Sequence, residues 1–457
     1  MNNDDNFLYF LTEKMTKAKV YPPGELKQDL SVEEIIKGWK TLSNRINDDD
    51  YRDHKFGIYI HIPFCPNKCT FCYCPSTAER DFNLIEKYVD TLINEIDFYT
   101  PYLKNFKINS IYVGGGTPGY LPINLIEKLF RHLYDNFKIE KKEWQFNFES
   151  SPYVLTKEKL DLLKDLGVNR LSMGVQSMSG KVLRNISRDQ SFDVLEKVIN
   201  YSRKIGIKYV NLDYVTGLPG ESLLSFVNGF MKIIKLRPEM IHLYAFCPTE
   251  ETLFIKNGNI YNSENIKLRG EMQKIGEKII KNAGYKEIKN DSWGLDNEAR
   301  NKQETGRKEF PYSILGLGNY ARSYIFKILY YRQLESPKNS SSHYQGHYIN
   351  DEDEFKHFIM LAFRGGININ DVKRIFKIDI SKKYEKELEY LKTLKKIKRE
   401  GNKIWMMPNN TNEYHFLLKK LFYSQEIINK LKDHYKDVYD SKIDYKAKLA
   451  KNFDENF

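Results

Sequence analysis

No stretch of this chain is apolar for long enough to span a membrane, and its first residues lack the pattern of a secretory leader. A cytoplasmic protein with reduced thiols is therefore expected. Cysteine is scarce, 5 in 457 residues, which is too few for a disulfide-stapled scaffold. No basic block interleaved with aromatics marks a nucleic-acid module. The excess of 72 basic over 61 acidic residues, a net +11, then reads as solvated surface that favours anionic partners in general. A hydrophobic content of 41% suffices for a large core, and the length suits two or three domains.

What cysteine there is stands together. Cys65, Cys69, Cys72 and Cys74 lie in Phe64-Cys-Pro-Asn-Lys-Cys-Thr-Phe-Cys-Tyr-Cys-Pro75, directly after Gly57-Ile-Tyr-Ile-His-Ile-Pro63, an apolar run that reads as a strand. Thiols in a loop at a strand end point to a metal. Structural zinc takes two ligand pairs separated by a dozen or more residues, and no second pair exists, since the remaining cysteine is the single Cys247. Soft thiolates packed into one loop suit an iron-sulfur cluster, whose several irons can each take a ligand from neighbouring residues. Three ligands at x3 and x2 spacing leave one iron without a protein ligand. A zinc knuckle and a disulfide cluster are the competing readings.

From this loop onward a strand-then-helix rhythm repeats about six times, which predicts a parallel sheet wound with helices. The candidate strands are 58–62, 108–113, 144–148, 170–174, 208–212 and 240–246. Amphipathic stretches at 84–98, 125–137 and 157–166 lie between them. In barrels of this class the site lies at the strands' C-terminal ends, and the other motifs fall there. Gly114-Gly-Gly-Thr-Pro-Gly119 follows the second strand, and its glycines let the backbone approach a ligand. Glu149 ends the third strand, Gln176 closes the fourth with Arg188 beyond it, and Asp213 ends the fifth ahead of Tyr214-Val-Thr-Gly-Leu-Pro-Gly220. Taken singly each has a bland explanation: a surface carboxylate, a strand tie, a surface cation.

Together these residues resemble the radical S-adenosylmethionine (SAM) superfamily, whose C-x3-C-x-aromatic-C signature is met by Cys65, Cys69, Phe71 and Cys72. Within it, the stretch from about Tyr59 to Phe254 resembles the oxygen-independent coproporphyrinogen III oxidase branch. The resemblance implies an α/β fold, a partial (β/α)6 TIM-type barrel with a winged-helix-like α+β domain at the carboxyl end. It implies a [4Fe-4S] cluster on Cys65, Cys69 and Cys72. It further implies one or two SAM molecules contacted by Tyr59, Phe71, Gly115, Gly116, Thr117, Glu149, Gln176, Arg188, Asp213 and Ala245. Cys74 matches a non-ligating cysteine of the true oxidases and is the candidate catalytic thiol.

Upstream, Val20-Tyr-Pro-Pro-Gly24 and a helix over 31–45 resemble that branch's amino-terminal arm, which the shorter haem-chaperone relatives lack. Downstream, Pro311 to Ala321 reads as a second glycine loop, with Gly316 and Gly318 letting the chain pass close to a ligand. His343 and His347 fall in a serine-rich loop that is a poor metal site. Helices over 355–363, 369–376 and 384–394 with a strand over 403–407 describe the winged helix. The expected domains are an arm (1–50), a barrel (51–260), a barrel extension with substrate-side loops (261–350), the winged-helix unit (351–424) and a charged helical tail (425–457).

The reaction expected is reductive cleavage of SAM and hydrogen abstraction from an organic substrate, an anionic tetrapyrrole suiting the positive charge. The electron donor would be a reduced flavodoxin- or ferredoxin-type protein. A methyltransferase, cyclopropane-forming or haem-opening enzyme using a second SAM is the alternative within the branch. A haem-binding chaperone and a cluster-bearing DNA-binding redox sensor are the alternatives outside it. A monomer without membrane or nucleic-acid partners is expected.

Overall fold

The computed structural model describes residues 3–14, 27–52, 54–140, 144–289, 291–296, 299, 311–334, 343–409 and 411–434. The Val20 to Gly24 segment of the expected arm and residues 435–457 of the expected tail lie outside them. In chain order the main strands are β1 (Gln28–Leu30), β2 (Lys55–Ile62), β3 (Lys107–Gly115), β4 (Gln145–Ser150), β5 (Arg170–Gln176), β6 (Tyr209–Thr216), β7 (Met240–Ala245), β8 (Lys286–Lys289), β9 (Ser292–Gly294), β10 (Tyr312–Leu317), β11 (Arg322–Ile325), β12 (Leu329–Gln333) and β13 (Tyr344–Tyr348). They form one sheet in the order β1-β13-β12-β11-β10-β2-β3-β4-β5-β6-β7-β9-β8.

From β10 to β7 every pairing is parallel, and both flanks are antiparallel. Helices α1 (Asn3–Lys14), α2 (Val32–Arg45), α3 (Phe82–Leu103), α4 (Ile123–Asn136), α5 (Lys157–Asp165), α6 (Gly180–Asn185), α7 (Phe192–Lys204), α8 (Leu223–Lys235) and α9 (Ser263–Asn282) accompany the sheet.

The fold class is the expected α/β partial barrel. Its six foreseen parallel strands are neighbours in their foreseen order, because each crossover carries an amphipathic helix that buries one apolar face on the sheet. Helix α3 turns Ile85, Val89, Leu92, Ile96 and Leu103 inward, and α4 turns Leu125, Ile126, Leu129 and Leu133. Helix α2 starts where Ser31 caps it, the Ser31 hydroxyl accepting from the Glu34 amide and the Glu34 carboxylate accepting from the Ser31 amide.

Two segments differ from expectation. Tyr312 to Leu317, read as part of a glycine loop, is the parallel strand β10, because its apolar residues find a free edge on β2. Tyr344 to Tyr348, read as loop beside the serines, is β13 between β12 and β1. Gly346 is needed there, since a Cβ would stand 2.1 Å from the Tyr330 carbonyl oxygen.

The C-terminal unit packs α10 (Asp351–Ala362), α11 (Ile369–Phe376) and α12 (Glu385–Thr393) with β14 (Ile367–Asn368), β15 (Ile397–Glu400) and β16 (Lys403–Met406), the sheet order being β14-β16-β15. Three helices and a hairpin give the winged-helix arrangement. Helices α13 (Thr411–Phe422) and α14 (Gln425–His434) follow, and Asp4 and Asp5 of α1 pair with Lys432 and Lys420.

A buried ammonium joins this unit to the barrel. Lys327, in the β11–β12 turn, reaches Asp50 at 2.7 Å, Asp351 at 3.3 Å and the Ile375 carbonyl at 2.5 Å. Beside it Glu354 is fully buried, accepting from the Tyr324 hydroxyl and the Lys327 amide. Burial raises the Glu354 pKa to about 7. No helix among the described residues is long and apolar enough to cross a membrane.

Candidate functional site

The four thiols sit at the C-terminal mouth of the parallel strands, all of them partly buried. Their loop is pinned in three ways. The Lys68 ammonium donates to the Cys74 carbonyl (2.8 Å) and to the Ser76 carbonyl (2.9 Å) and hydroxyl (2.7 Å). The Thr70 amide donates to the Ile186 carbonyl (3.2 Å), and the Thr70 carbonyl accepts from the Phe254 amide (2.8 Å). Phe71 packs on the apolar cluster of Val182, Leu183, Ile186, Val215, Leu218, Phe246 and Phe254. The loop thereby rests on the ends of β6 and β7 rather than on solvent.

Two of the sulfurs face donors from other strands. The Thr117 hydroxyl donates to Cys65 Sγ (3.4 Å) and Arg188 Nη1 to Cys69 Sγ (3.8 Å). Burial pushes both thiols up, partly offset by Thr117 at Cys65 and by the Arg188 charge at Cys69. Cys72 and Cys74 share a hydrogen bond. Cys74 keeps the proton, its pKa driven up by this bond and by burial, while Cys72, accepting it, falls to about 6. Among the described residues no three His, Cys, Asp or Glu side chains converge as ligands of one metal ion.

The glycine loop lies across the thiol loop. The Gly116 amide donates to the Ile62 carbonyl and the Thr117 amide to the Phe64 carbonyl, each at 2.8 Å. There is no room for a side chain at Gly116, where a Cβ would meet the Phe64 carbonyl oxygen at 2.7 Å. Gly115, at φ +110°, would collide with the His61 ring.

Tyr59 and Glu149 face one another across the mouth, and burial first, then the nearby Glu149 and Cys74, holds the Tyr59 hydroxyl protonated. That hydroxyl lies 3.0 Å from His61 Nδ1, and His61 Nε2 lies 2.9 Å from the Pro75 carbonyl oxygen. A carbonyl only accepts, so Nε2 carries the proton and Nδ1 accepts from Tyr59. Burial keeps this imidazole neutral.

Glu149 accepts from the Tyr112 hydroxyl, and burial above all raises its pKa to about 7. Gln176 takes φ +69° at a register shift between β5 and β6, a left-handed conformation uncommon for a residue with a side chain. Arg188 is anchored: it donates to the Gly174 carbonyl, to the Ser151 hydroxyl (2.8 Å) and to Gln190 (3.2 Å). Asp213 accepts from Asn211 (2.9 Å) and His242 (2.8 Å). Ala245, exposed, ends β7 opposite Thr216.

Thr117 and Arg188 are thus brought against the thiol loop, with Tyr59 and Glu149 close beside it. Sequence reasoning passed over His61, Tyr112 and Lys68, which orient Tyr59, Glu149 and the thiol loop. Alternation along β2 and β3 places Tyr59 with His61, and Tyr112 with Gly114, on the same inward faces, which was the available signal. The segment containing His343 and His347 holds no metal cluster among the described residues.

Residues 59–228 match the family model of the radical SAM superfamily. The chain is 31% identical to the oxygen-independent coproporphyrinogen III oxidase of Salmonella typhimurium over 258 residues, 56% of this chain and 54% of the relative. It is also 31% identical to the heme chaperone HemW of Buchnera aphidicola subsp. Schizaphis graminum over 237 residues, 52% of this chain and 62% of the relative. These alignments thus span little more than half the length of the relatives. The solved coproporphyrinogen III oxidase (HemN) of Escherichia coli, described as a radical SAM enzyme, superposes with a TM-score of 0.72. That superposition covers 90% of this chain and 96% of the other at 20% identity, a likeness of fold.

Proposed function

We propose that this chain, which carries a radical SAM domain over residues 59–228, is a radical SAM enzyme acting on a small organic molecule in the manner of the coproporphyrinogen III oxidase-like branch. The observation that carries the reading is the thiol loop. Cys65, Cys69 and Cys72 lie on one pinned loop at the strand mouth, two of their sulfurs already facing Thr117 and Arg188.

The donor set fits a [4Fe-4S] cluster. Thiolates are the ligands such clusters take, and hydrogen bonds to the sulfurs are the protein's usual means of tuning them. Beside it the carboxylates of Glu149 and Asp213 offer acceptors suited to the hydroxyl and ammonium groups of SAM. Bound there, cluster and SAM supply one-electron cleavage of a sulfonium and hence hydrogen abstraction from an unactivated C–H bond.

The remaining roles belong to the chain itself. The Gly116 and Thr117 amides are engaged with the β2 end, so the glycine loop would meet an ammonium group through carbonyl oxygens. Glu149, ionising near neutrality, accepts from ribose hydroxyls or an ammonium, with Tyr112 fixing its orientation. Gln176 and Asp213 present polar groups from the adjoining strands. Arg188, already tied to β4 and β5, acts mainly on Cys69 and fixes the loop's distance from the sheet. Cys74, protonated beside Cys72, is a thiol able to give a proton or hydrogen atom on the substrate side. Positioning all of these in one partly dry mouth is the protein's contribution to rate.

The branch's two chemistries, loss of CO2 from a propionate and transfer of a carbon from a second SAM, part at the product. SAM labelled in its methyl group separates them. A haem-binding chaperone is the second reading, favoured by the 31% identity to HemW. Anaerobically reconstituted protein given SAM and a reductant should release 5′-deoxyadenosine. Stoichiometric haem capture without 5′-deoxyadenosine would favour the chaperone instead.

A further inference from the structure

Register places one row of side chains across the lumen-facing side of the sheet. Tyr112 pairs with Tyr59, Tyr59 with Gly316, Arg322 with Arg332, and Arg332 with Gln345. Gly316 abuts Arg322, because a Cβ on it would lie 2.5 Å from the Arg322 carbonyl oxygen. The row runs from the tyrosine next to the thiol loop straight to two arginines on adjacent antiparallel strands.

Two cations directly opposite one another destabilise a sheet, and here no described residue neutralises them. Among the described residues neither Arg322 nor Arg332 forms an ion pair. Arg332 donates a single long bond from Nη2 to Gln345 (3.4 Å), and its Nε is buried without a partner. The Gln345 amide in turn is committed to Asp29 at 3.2 Å. Arg322 is exposed, and its charge is felt at the Tyr59 hydroxyl. Next along the same face, Lys27 sits 5.9 Å from the centre of the Tyr330 ring. A buried N–H of a charged group left without an acceptor is costly, so an acceptor is expected to arrive with a ligand.

We propose that Arg322 and Arg332 form a clamp for a carboxylate of the substrate, setting its specificity and directing the rest of the molecule along the row toward Tyr59 and the thiol loop. Planar guanidinium forks on neighbouring strands suit one carboxylate held from both sides, or two acid arms of one molecule. The assignment of the ligand as substrate rests on the radical SAM reading. The anion site itself does not.

The test is a fluorescence titration of the full chain with coproporphyrin III, whose arms are propionates, and with its tetramethyl ester, which has the same ring and no charge. The wild type should bind the acid at least tenfold more tightly than the ester. R322Q and R332Q should each weaken acid binding about tenfold or more and leave the ester unchanged. R322Q should also melt at or above the wild-type temperature, since it relieves an opposed charge.

Equal affinity of the wild type for acid and ester, or acid affinity unchanged in both variants, would overturn the clamp. So would an R322Q protein that melts well below the wild type, because the arginines would then be structural. A wild type that makes no 5′-deoxyadenosine yet loses acid binding in R322Q refutes the proposed reaction and leaves the clamp standing.

Discussion

Gly116→Ala tests how the glycine loop positions the thiol loop. A Cβ at this position would stand 2.7 Å from the Phe64 carbonyl oxygen and 2.9 Å from the Pro63 carbonyl group, all of it backbone. Backbone cannot rotate away as a side chain can, so the two loops must part by several tenths of an ångström or more. That movement strains the 2.8 Å bonds from Gly116 to Ile62 and from Thr117 to Phe64, and with them the Thr117 contact to Cys65.

Overpacking of this kind usually costs about 1–3 kcal/mol, which a large chain survives. Displacement near the reacting centre costs far more in rate, about a hundredfold for 1 Å. The variant should therefore stay folded by circular dichroism and lose about a hundredfold in 5′-deoxyadenosine formation. Gly270→Ala is the control, a helix-interior glycine of α9 whose Cβ meets nothing within 4 Å. It should gain about 1 kcal/mol with no change in rate. A Gly116→Ala enzyme cleaving SAM at the wild-type rate would refute the reasoning.

Three other outcomes are expected. Lys327→Met removes the buried ammonium facing Asp50, and removing one partner of such a pair should destabilise by about 3–5 kcal/mol in urea unfolding; a loss under about 1 kcal/mol would show that Arg45, 3.1 Å from Asp50, compensates alone. Glu354→Gln tests the raised carboxyl pKa. The folded state holds the Glu354 proton up to about pH 7 against 4.5 unfolded, so its contribution is full below pH 4.5 and is lost as pH rises through 7. Across that window stability should shift by about 3 kcal/mol in favour of the variant, and parallel stability–pH curves would contradict it. Cys74→Ala should retain the visible absorbance of the reconstituted cluster and lose substrate turnover, and loss of that absorbance would make Cys74 a ligand.

Much of the barrel was legible because its signals are local. The six parallel strands are short apolar runs separated by helices with one apolar face, and period alone distinguishes them. The thiol loop and the Gly114 to Gly119 turn announced themselves by composition. Strand β10 did not, because Gly316 and Gly318 resemble a turn when the neighbouring strands are unknown. The closeness of the Arg322 backbone to Gly316, and at Gly318 a φ of +92° with the Tyr88 hydroxyl and the His61 carbonyl oxygen close by, explain those glycines. Strand β13 was masked by the adjoining serines for the same reason.

The partners within the site were out of reach of a linear reading. Thr117 is 52 residues from Cys65 and Arg188 is 119 from Cys69, and only the fold brings them together. The Arg188 expectation shows the limit most clearly. Its place in the motif suggested a SAM contact, and its anchoring to Gly174, Ser151 and Gln190 beside Cys69 is a second role that the motif does not disclose. The opposed arginines are likewise a product of strand register, which no spacing along the chain discloses.

The central claim is that Cys65, Cys69 and Cys72 hold a cluster with one iron left open to SAM. Anaerobic reconstitution with iron and sulfide, followed by Mössbauer spectroscopy with and without SAM, tests it most directly. A [4Fe-4S] spectrum in which a single iron site shifts on adding SAM, absent from Cys69→Ala, is the predicted result. Bound zinc, or a cluster whose iron sites are all indifferent to SAM, would contradict it.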